Sequence, residues 1–214
     1  MKKLFLLTLV AVFGFTAGHT QEDPEKLIKK AMKAYNAFNL EQTAKSASLD
    51  EAKTIIDGVF QSEAMNSNVA ALLAKGSIYS GFLTRDQTQK LLNPDFKSTI
   101  NFPAAFIAYE AYSKALGLAQ KKFEKSDALK GLQSLTGALN NAGNDMYNAN
   151  KFEDAYNNFS ASLAIHDKVK AAGEVSALDK PEDYNNQLFI VAAAAVKAKK
   201  FTEAKVINDK LIAS

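Results

Sequence analysis

The sequence of 214 residues contains no cysteine, no tryptophan and only two histidines, His19 and His166. Without cysteine the chain forms no disulfide, and zinc fingers of the usual kind and cysteine nucleophiles are excluded. A glycine-rich phosphate loop, a His-Glu-x-x-His motif and a Gly-x-Ser-x-Gly motif are also missing. His166 falls near the end of an expected helix, where the helix dipole favours a surface histidine. We therefore expect a protein that is not an enzyme, with no catalytic residues, no metal and no cofactor.

The chain has little excess charge of either sign. The formal net charge is +3, and loss of Lys2 and Lys3 with an N-terminal segment would lower it to +1. So weak an excess does not predict nucleic acid or an anionic membrane as the partner. Because no disulfide contributes, stability must come from the burial of apolar surface. The chain is long enough to achieve this in one domain or one repeat array.

Long apolar runs are confined to the N-terminus. Residues 1–3 form a short basic start, Leu4–Phe15 is mainly apolar, and residues 16–20 are small or mildly polar. This three-part order predicts a secretory signal peptide over residues 1–20. The alternative, a membrane anchor, needs about 20 apolar residues, so the run is too short. We expect export to the periplasm of a Gram-negative cell or secretion, without a lipid anchor, because no cysteine follows the apolar run.

Proline is scarce, and its four positions fall where helical patterns start or break. Good helix formers dominate elsewhere and strand-like alternation is absent, so the predicted fold class is all-α. Asp50 is an expected helix N-cap, and the run Asn66-Ser67-Asn68 offers caps for the next helix. Residues 83–102 are expected to be an insertion inside the second pair of helices, since connections of that length usually have a function or are disordered. Four pairs are predicted: Pro24–Phe38 with Asp50–Phe60 (residues 24–60), Asn66–Phe82 with Pro103–Gln120 (66–120), Ser126–Ala149 with Phe152–Val169 (126–169), and Glu182–Ala198 with Phe201–Ile212 (182–212).

Two short patterns occur twice along the chain. Ala108-Tyr109-x-x-Tyr112-Ser113-x-Ala115-Leu116 returns as Ala155-Tyr156-x-x-Phe159-Ser160-x-Ser162-Leu163. Lys151-Phe152-Glu153-Asp154-Ala155 returns as Lys200-Phe201-Thr202-Glu203-Ala204. Small and aromatic residues repeated at helical spacing indicate stacked helix pairs.

These residues resemble the tetratricopeptide repeat (TPR), a helix-turn-helix of 34 residues. The third pair matches best, with Leu139-x2-Ala142-Gly143-x2-Met146 followed by Ala155-x3-Phe159. The second keeps Leu72-x2-Lys75-Gly76-x2-Tyr79 and then Ala108-x3-Tyr112. The fourth keeps Leu188, Ala192 and Ala204, and the first keeps Ala52-x3-Ile56. The resemblance covers most of residues 21–214 and is to the exported TPR proteins of Bacteroidota. It implies a right-handed α-α superhelix of about four antiparallel helix pairs.

Gly76 and Gly143 stand in the middle of expected helices, where glycine costs about 1 kcal/mol relative to alanine. A close approach of a neighbouring helix would explain this cost. Small residues of the facing helices are expected at the same contacts, namely Ala52, Ala108, Ala155 and Ala204. The last helix is apolar although terminal repeats need a polar outer face, so we expect it to be exposed on one side or to continue into a longer array.

The resemblance also implies where a partner would bind, because the first helix of each TPR pair lines a concave groove. In the second pair this face is Ala70, Leu73, Ser77 and Ser80. In the third and fourth pairs the predicted partner-binding residues are Asn140, Asn141, Asn144, Tyr147, Asn148, Asn186 and Phe189. Asparagine both donates and accepts hydrogen bonds, so it suits a peptide backbone. Asn140 stands where a carboxylate-binding TPR has lysine, which argues against that specialised clamp.

The favoured function is an exported scaffold that binds a protein or peptide partner in the cell envelope, with no membrane span in the mature chain. An alternative is a periplasmic or outer-surface receptor for a glycan or another small or polymeric ligand. Asparagine and tyrosine suit sugars, but the absence of tryptophan removes the best stacking platform. A third interpretation, a solvated helix face without a partner, accounts for the asparagine stripe equally well.

Overall fold

The computed structural model describes residues 23–213, so the predicted signal peptide over residues 1–20 lies outside the described part. Within that part the regular structure is helical, without strands, as the sequence predicts. A short 3-10 helix, Glu63–Ser67, precedes the third α-helix. The α-helices are α1 (Pro24–Leu40), α2 (Ser46–Val59), α3 (Val69–Leu92), α4 (Ala104–Leu118), α5 (Lys122–Asn148), α6 (Phe152–Ala171), α7 (Pro181–Lys197) and α8 (Phe201–Ala213).

Local sequence explains several helix starts. Pro24 and Pro181 occupy the first turns of α1 and α7, where proline's missing N–H has no helical partner to lose. The side chain of Asn68 accepts a hydrogen bond from the Ala71 N–H at 2.9 Å, so Asn68 is the one of the three candidates in 66–68 that caps α3. Asp50 was expected to cap α2, but α2 begins at Ser46 and Asp50 lies inside it. α5 likewise begins at Lys122, one turn before the predicted start.

The repeated Lys-Phe motif has the same turn in both copies. Asn150 and Lys199 immediately precede the motif and have positive φ angles of 60° and 61°. The Lys151 N–H donates to the Met146 carbonyl at 2.9 Å, and the Lys200 N–H donates to the Ala195 carbonyl at 2.8 Å. This six-residue closure satisfies carbonyls at the end of the preceding helix. The sequence repeat therefore corresponds to a repeat of local structure.

Helices adjacent in sequence pack together throughout the described chain, as α1 with α2, α3 with α4, α5 with α6, and α7 with α8. Each pair also contacts the next through α2 and α3, α4 and α5, and α6 and α7. The first helices of successive pairs meet as well, because α1 contacts α3 and α3 contacts α5. One apolar cluster runs from α1 to α6, and a second joins α6, α7 and α8.

The mid-helix glycines accommodate aromatic rings from the second helix of their own pair. A Cβ atom added at Gly143 would lie 2.4 Å from the Phe159 ring, and one at Gly76 would lie 2.7 Å from the Tyr112 ring. The expected close approach is confirmed, although the contact is between a helix backbone and a ring. The four alanines expected at the facing positions are all buried: Ala52, Ala108, Ala155 and Ala204.

The predicted insertion over residues 83–102 is wrong in its first half, because α3 continues to Leu92. Only residues 93–103 form an irregular linker before α4. Phe102 fixes this linker on α3 through edge-to-face contacts with Phe82 and Tyr79, at centroid distances of 5.1 Å and 5.5 Å. Leu91, at the end of α3, does not pack against the helices and is 80% exposed.

The last helix exposes an apolar side, one of the two outcomes expected for it. Phe201, Val206 and Ile212 are all more than half exposed, and Ala204 is the buried residue of α8. Among the described residues, no helix combines the length and the apolar character that crossing a membrane requires.

Candidate partner-binding groove

Two adjoining depressions follow the first helices of three successive pairs, and we refer to them together as the groove. One depression, of about 560 Å³, lies between α1, α3 and α5. The next, of about 570 Å³, continues between the C-terminal half of α3 and α5. The lining residues are Ile28, Met32, Ala70, Leu73, Ala74, Ser77, Ser80, Leu83, Thr84, Gln87, Lys90, Tyr112, Asp127, Lys130, Gly131, Ser134, Leu135, Gly137, Ala138 and Asn141.

The α3 wall has the periodicity of one helix face. Ala70, Leu73, Ser77 and Ser80, the residues assigned to this face from the sequence, all line the groove. Their spacing of three or four residues places them in one row along α3. The row continues beyond the predicted end of the helix, because α3 extends to Leu92. The longer α3 therefore lengthens the groove.

Tyr112 forms part of the groove floor although it belongs to α4, the second helix of its pair. Its ring lies between α3 and α5, where Cβ atoms added at Gly76 and Gly131 would lie 2.7 Å and 2.4 Å from it. Its hydroxyl lies 3.1 Å from the Ser77 Oγ, within hydrogen-bonding distance. Burial raises the pKa of the Tyr112 hydroxyl. Gly131 lies outside the TPR-like pattern, so the repeat resemblance did not identify it.

The residues of the predicted amide stripe of α5 have different surroundings. Asn141 lines the groove, whereas Asn144 and Asn148 are exposed and are not among the groove-lining residues. Asn140 and Tyr147 face α6 and α7. The Tyr147 ring packs edge-to-face on Phe152 at a centroid distance of 5.2 Å. Of the five predicted α5 residues, Asn141 is the one that lines the groove.

Asn140 belongs to a hydrogen-bonded chain between three helices. Its Nδ2 donates to the Gln187 Oε1 at 2.9 Å, and the Gln187 Nε2 donates to the Phe159 carbonyl at 2.8 Å. Gln187 is only 3% exposed, so these bonds satisfy a polar side chain that burial would otherwise penalise. The Asn140 Nδ2 thus joins α5 to α7, whereas its Oδ1 is buried without a hydrogen-bond partner, and Asn140 is not among the groove-lining residues.

The two predicted residues of α7 lie outside the groove-lining set. Asn186 is exposed, and the Phe189 side chain is 62% exposed. Asn141 is thus the one predicted binding residue among those that line the groove, and the two α7 residues are exposed outside it.

His166 is part of a loop contact after α6. Its side chain is 15% exposed, so the expectation of a surface histidine is wrong. The His166 Nδ1 lies 2.9 Å from the Ser176 Oγ and 4.0 Å from the Asp179 carboxylate. In a serine-histidine-aspartate triad the serine and the aspartate contact different ring nitrogens, whereas here both approach Nδ1. A hydrogen bond from Lys170 lowers the pKa of Asp179.

The described residues offer no metal centre, since among residues 23–213 no three histidine, cysteine or acidic side chains are grouped to hold an ion. Comparison with known proteins found no matching family model, no matching curated protein and no matching solved structure.

Proposed function

We propose that this protein is an exported, non-enzymatic scaffold of the TPR type that binds an extended segment of a protein partner in the groove. The N-terminal sequence pattern supports export to the cell envelope, and the repeated motifs support stacking of the helix pairs into a right-handed superhelix. The observation that carries the proposal is that the two depressions are lined in succession along α3 and α5, with α1 completing the wall of the first.

The chemistry of the groove suits a peptide in extended conformation. Its walls alternate apolar side chains with hydroxyl and amide groups, and its charged residues, Lys90, Asp127 and Lys130, leave it close to neutral. Asn141 and Asn144 each offer a donor and an acceptor to a peptide backbone. Tyr112, the aromatic residue among the lining set, is 6% exposed, so its ring face is not available to stack on a sugar. This burial favours a peptide over a glycan.

Site-specific photo-cross-linking in the cell envelope tests the proposal. A photo-reactive residue at Gln87, in the groove, is expected to cross-link to one defined protein, whereas the same residue at exposed Asn208 on α8 is not. The Asn141→Ala/Asn144→Ala double variant should weaken the cross-link from Gln87. The matched Asn39→Ala/Asn208→Ala variant, which removes two amides elsewhere, should leave it unchanged.

Thermal unfolding of the two double variants serves as the folding control, since exposed asparagines contribute little to stability. Tyr147 is left intact because its contact with Phe152 would mix effects on folding and binding. Equal cross-linking from Gln87 and Asn208, or none from either, would contradict the proposal. Specific retention on a glycan array without any protein cross-link would support the glycan alternative.

A further inference from the structure

One side of α8 is left open by the described part of the chain. The inner side of the helix packs against the second apolar cluster through Ile207. On the outer side Phe201, Val206 and Ile212 are 65%, 52% and 85% exposed. Large apolar side chains grouped on a surface often mark a site of interaction. At helical spacing they share this side with two charged residues, and we define the outer face of α8 as the row Phe201, Lys205, Asp209 and Ile212 with Val206 beside it.

The repeated sequence of α6 shows how such a face is covered elsewhere in the array. Phe201 and Ile212 occupy the positions of Phe152 and Leu163, 49 residues earlier in the chain. Leu163 is only 5% exposed, because it belongs to the apolar cluster shared with α7. The Lys197 Nζ of α7 lies over the Phe152 ring, 5.9 Å from its centroid. A helix of the next pair therefore covers on α6 the positions that stay open on α8 within residues 23–213.

Stacking of copies head to tail would place the outer side of α1 on this face, as α7 lies on α6. That side of α1 is turned away from the buried residues Ile28 and Ala31. It carries four exposed lysines: Lys26, Lys29, Lys30 and Lys33. Burial of ammonium groups against Phe201 and Ile212 is unfavourable, and Lys205 would repel them. The lysine side of α1 is therefore a poor partner for the outer face of α8.

A second copy of α8 suits the face, because the face is complementary to itself. When two copies run antiparallel about a twofold axis at the level of Ile207, residues equally distant from Ile207 lie opposite each other. Lys205 and Asp209 are each two residues away, so each faces the opposite charge of the second copy. Ile212 is five residues away and Phe201 six, so the two apolar side chains of different copies come together. Twofold contacts of this kind are the commonest between identical chains.

We infer that two copies of this chain associate through the outer faces of α8, running antiparallel, with two reciprocal contacts between Lys205 and Asp209. Within one copy these side chains already pair at 2.7 Å, but both are more than half exposed. Since an exposed pair is weak, each charge can also take a partner across the axis. The contact involves one short helix per copy, so we expect a dissociation constant on the order of 100 µM. The inference is independent of the groove, which lies between α1, α3 and α5.

The test is sedimentation equilibrium of the purified protein at concentrations from about 10 µM to about 1 mM, which span the expected dissociation constant. The wild type is expected to show a reversible equilibrium between monomer and dimer. Ile212→Asp should weaken the dimer roughly tenfold or more, because it places a carboxylate in the apolar contact. Leu40→Asp is the matched control, since Leu40 is 84% exposed at the end of α1 and outside the contact, so it should leave the dimer unchanged. Circular dichroism and thermal unfolding check that both variants fold.

Charge reversal tests the antiparallel arrangement. Lys205→Glu and Asp209→Lys should each weaken the dimer about tenfold, because like charges then face each other across the axis. An equimolar mixture of the two variants should associate more tightly than either variant alone, since in the mixed dimer both positions face an opposite charge. The pairing of Lys205 with Asp209 along one helix cannot produce this gain, because neither variant chain recovers an opposite charge within itself.

A wild type that stays monomeric up to about 1 mM would overturn the inference, as would a dimer that Ile212→Asp leaves intact. Growth beyond the dimer with rising concentration would indicate head-to-tail stacking and would also overturn it. So would a mixture of the reversed variants that associates no better than each variant alone. A photo-reactive residue at Asn208, beside the outer face, should capture only a second copy, a product with twice the mass of the chain. Capture of a different protein there would mean that another partner covers α8, against the inference.

Discussion

Replacement of Gly143 by alanine tests the contact between helix backbone and aromatic ring on which the pairing of α5 and α6 depends. In the middle of an exposed helix this change normally stabilises a protein by up to about 1 kcal/mol. At Gly143 the new Cβ would lie 2.4 Å from the Phe159 Cε1, and Phe159 is only 2% exposed, so its ring has no open space to enter. Overpacking of this kind costs about 1–3 kcal/mol. We therefore expect Gly143→Ala to lower the free energy of unfolding by up to about 2 kcal/mol.

Gly137→Ala is the matched control, because Gly137 lies in the same helix and a Cβ added there meets nothing within 4 Å. It should stabilise the protein by up to about 1 kcal/mol. Urea unfolding followed by circular dichroism measures both changes, and the midpoints of thermal unfolding should separate by roughly 2–4 °C for each kcal/mol. Equal stabilisation by the two substitutions would refute the ring contact. Adding Phe159→Leu to Gly143→Ala should recover part of the loss, since neighbouring changes are not additive.

Three further predictions concern single side chains. The Tyr79 hydroxyl donates a hydrogen bond to Asp57 at 2.8 Å, and burial together with this bond raises the pKa of Tyr79. The folded state therefore retains a proton that the unfolded state loses above about pH 10, so the free energy of unfolding should fall as the pH rises. Tyr79→Phe should reduce that fall when urea unfolding at about pH 9 is compared with urea unfolding at about pH 11. Tyr112→Phe should lower the free energy of unfolding by about 1 kcal/mol through loss of the contact with Ser77, whereas Tyr112→Ala should lower it by about 3–5 kcal/mol because it opens a cavity. Urea unfolding measures both, and a similar cost for the two variants would contradict the burial of the ring. Asp179→Asn should speed amide exchange in the loop before α7, because the Asp179 carboxylate accepts from a backbone N–H there, and unchanged exchange would show that the bond is unimportant.

Local sequence features predicted much of the helical framework. Asn68, Pro24 and Pro181 mark helix starts through capping or through the fixed φ angle of proline, which are effects of short range. Gly76 and Gly143 predicted close contacts, because glycine inside a helix lowers stability relative to alanine and a close contact can compensate for this cost. These features depend on neighbouring residues or on one contact with the paired helix, so a single sequence contains the information needed.

The end of α3 was less predictable. The sequence analysis ends this helix at Phe82 and treats residues 83–102 as an insertion. Residues 83–92 nevertheless contain no proline or glycine and include several good helix formers, so the helix continues until Pro94 restricts the backbone before it.

The amide stripe of α5 could not be assigned to one surface from the sequence. Successive helical residues are about 100° apart around the helix axis. Asn140 and Asn141 therefore point in different directions, and a neighbouring helix pair can cover one of them while the other lines the groove. Which of the two faces α7 depends on how the fourth pair packs on the third. The buried Gln187 completes this contact from a distant part of the chain, and its role becomes visible only in three dimensions.

The position of the Tyr112 ring has a consequence for any ligand that reaches the groove floor. The ring separates α3 from α5, and its hydroxyl is beside Ser77 at the floor. A molecule bound there would touch the side chain that sets the distance between two repeats. Occupancy of this site and the spacing of α3 and α5 would therefore be thermodynamically coupled: a change that moves the two helices would alter affinity, and binding would alter the resistance of the two helices to being pulled apart.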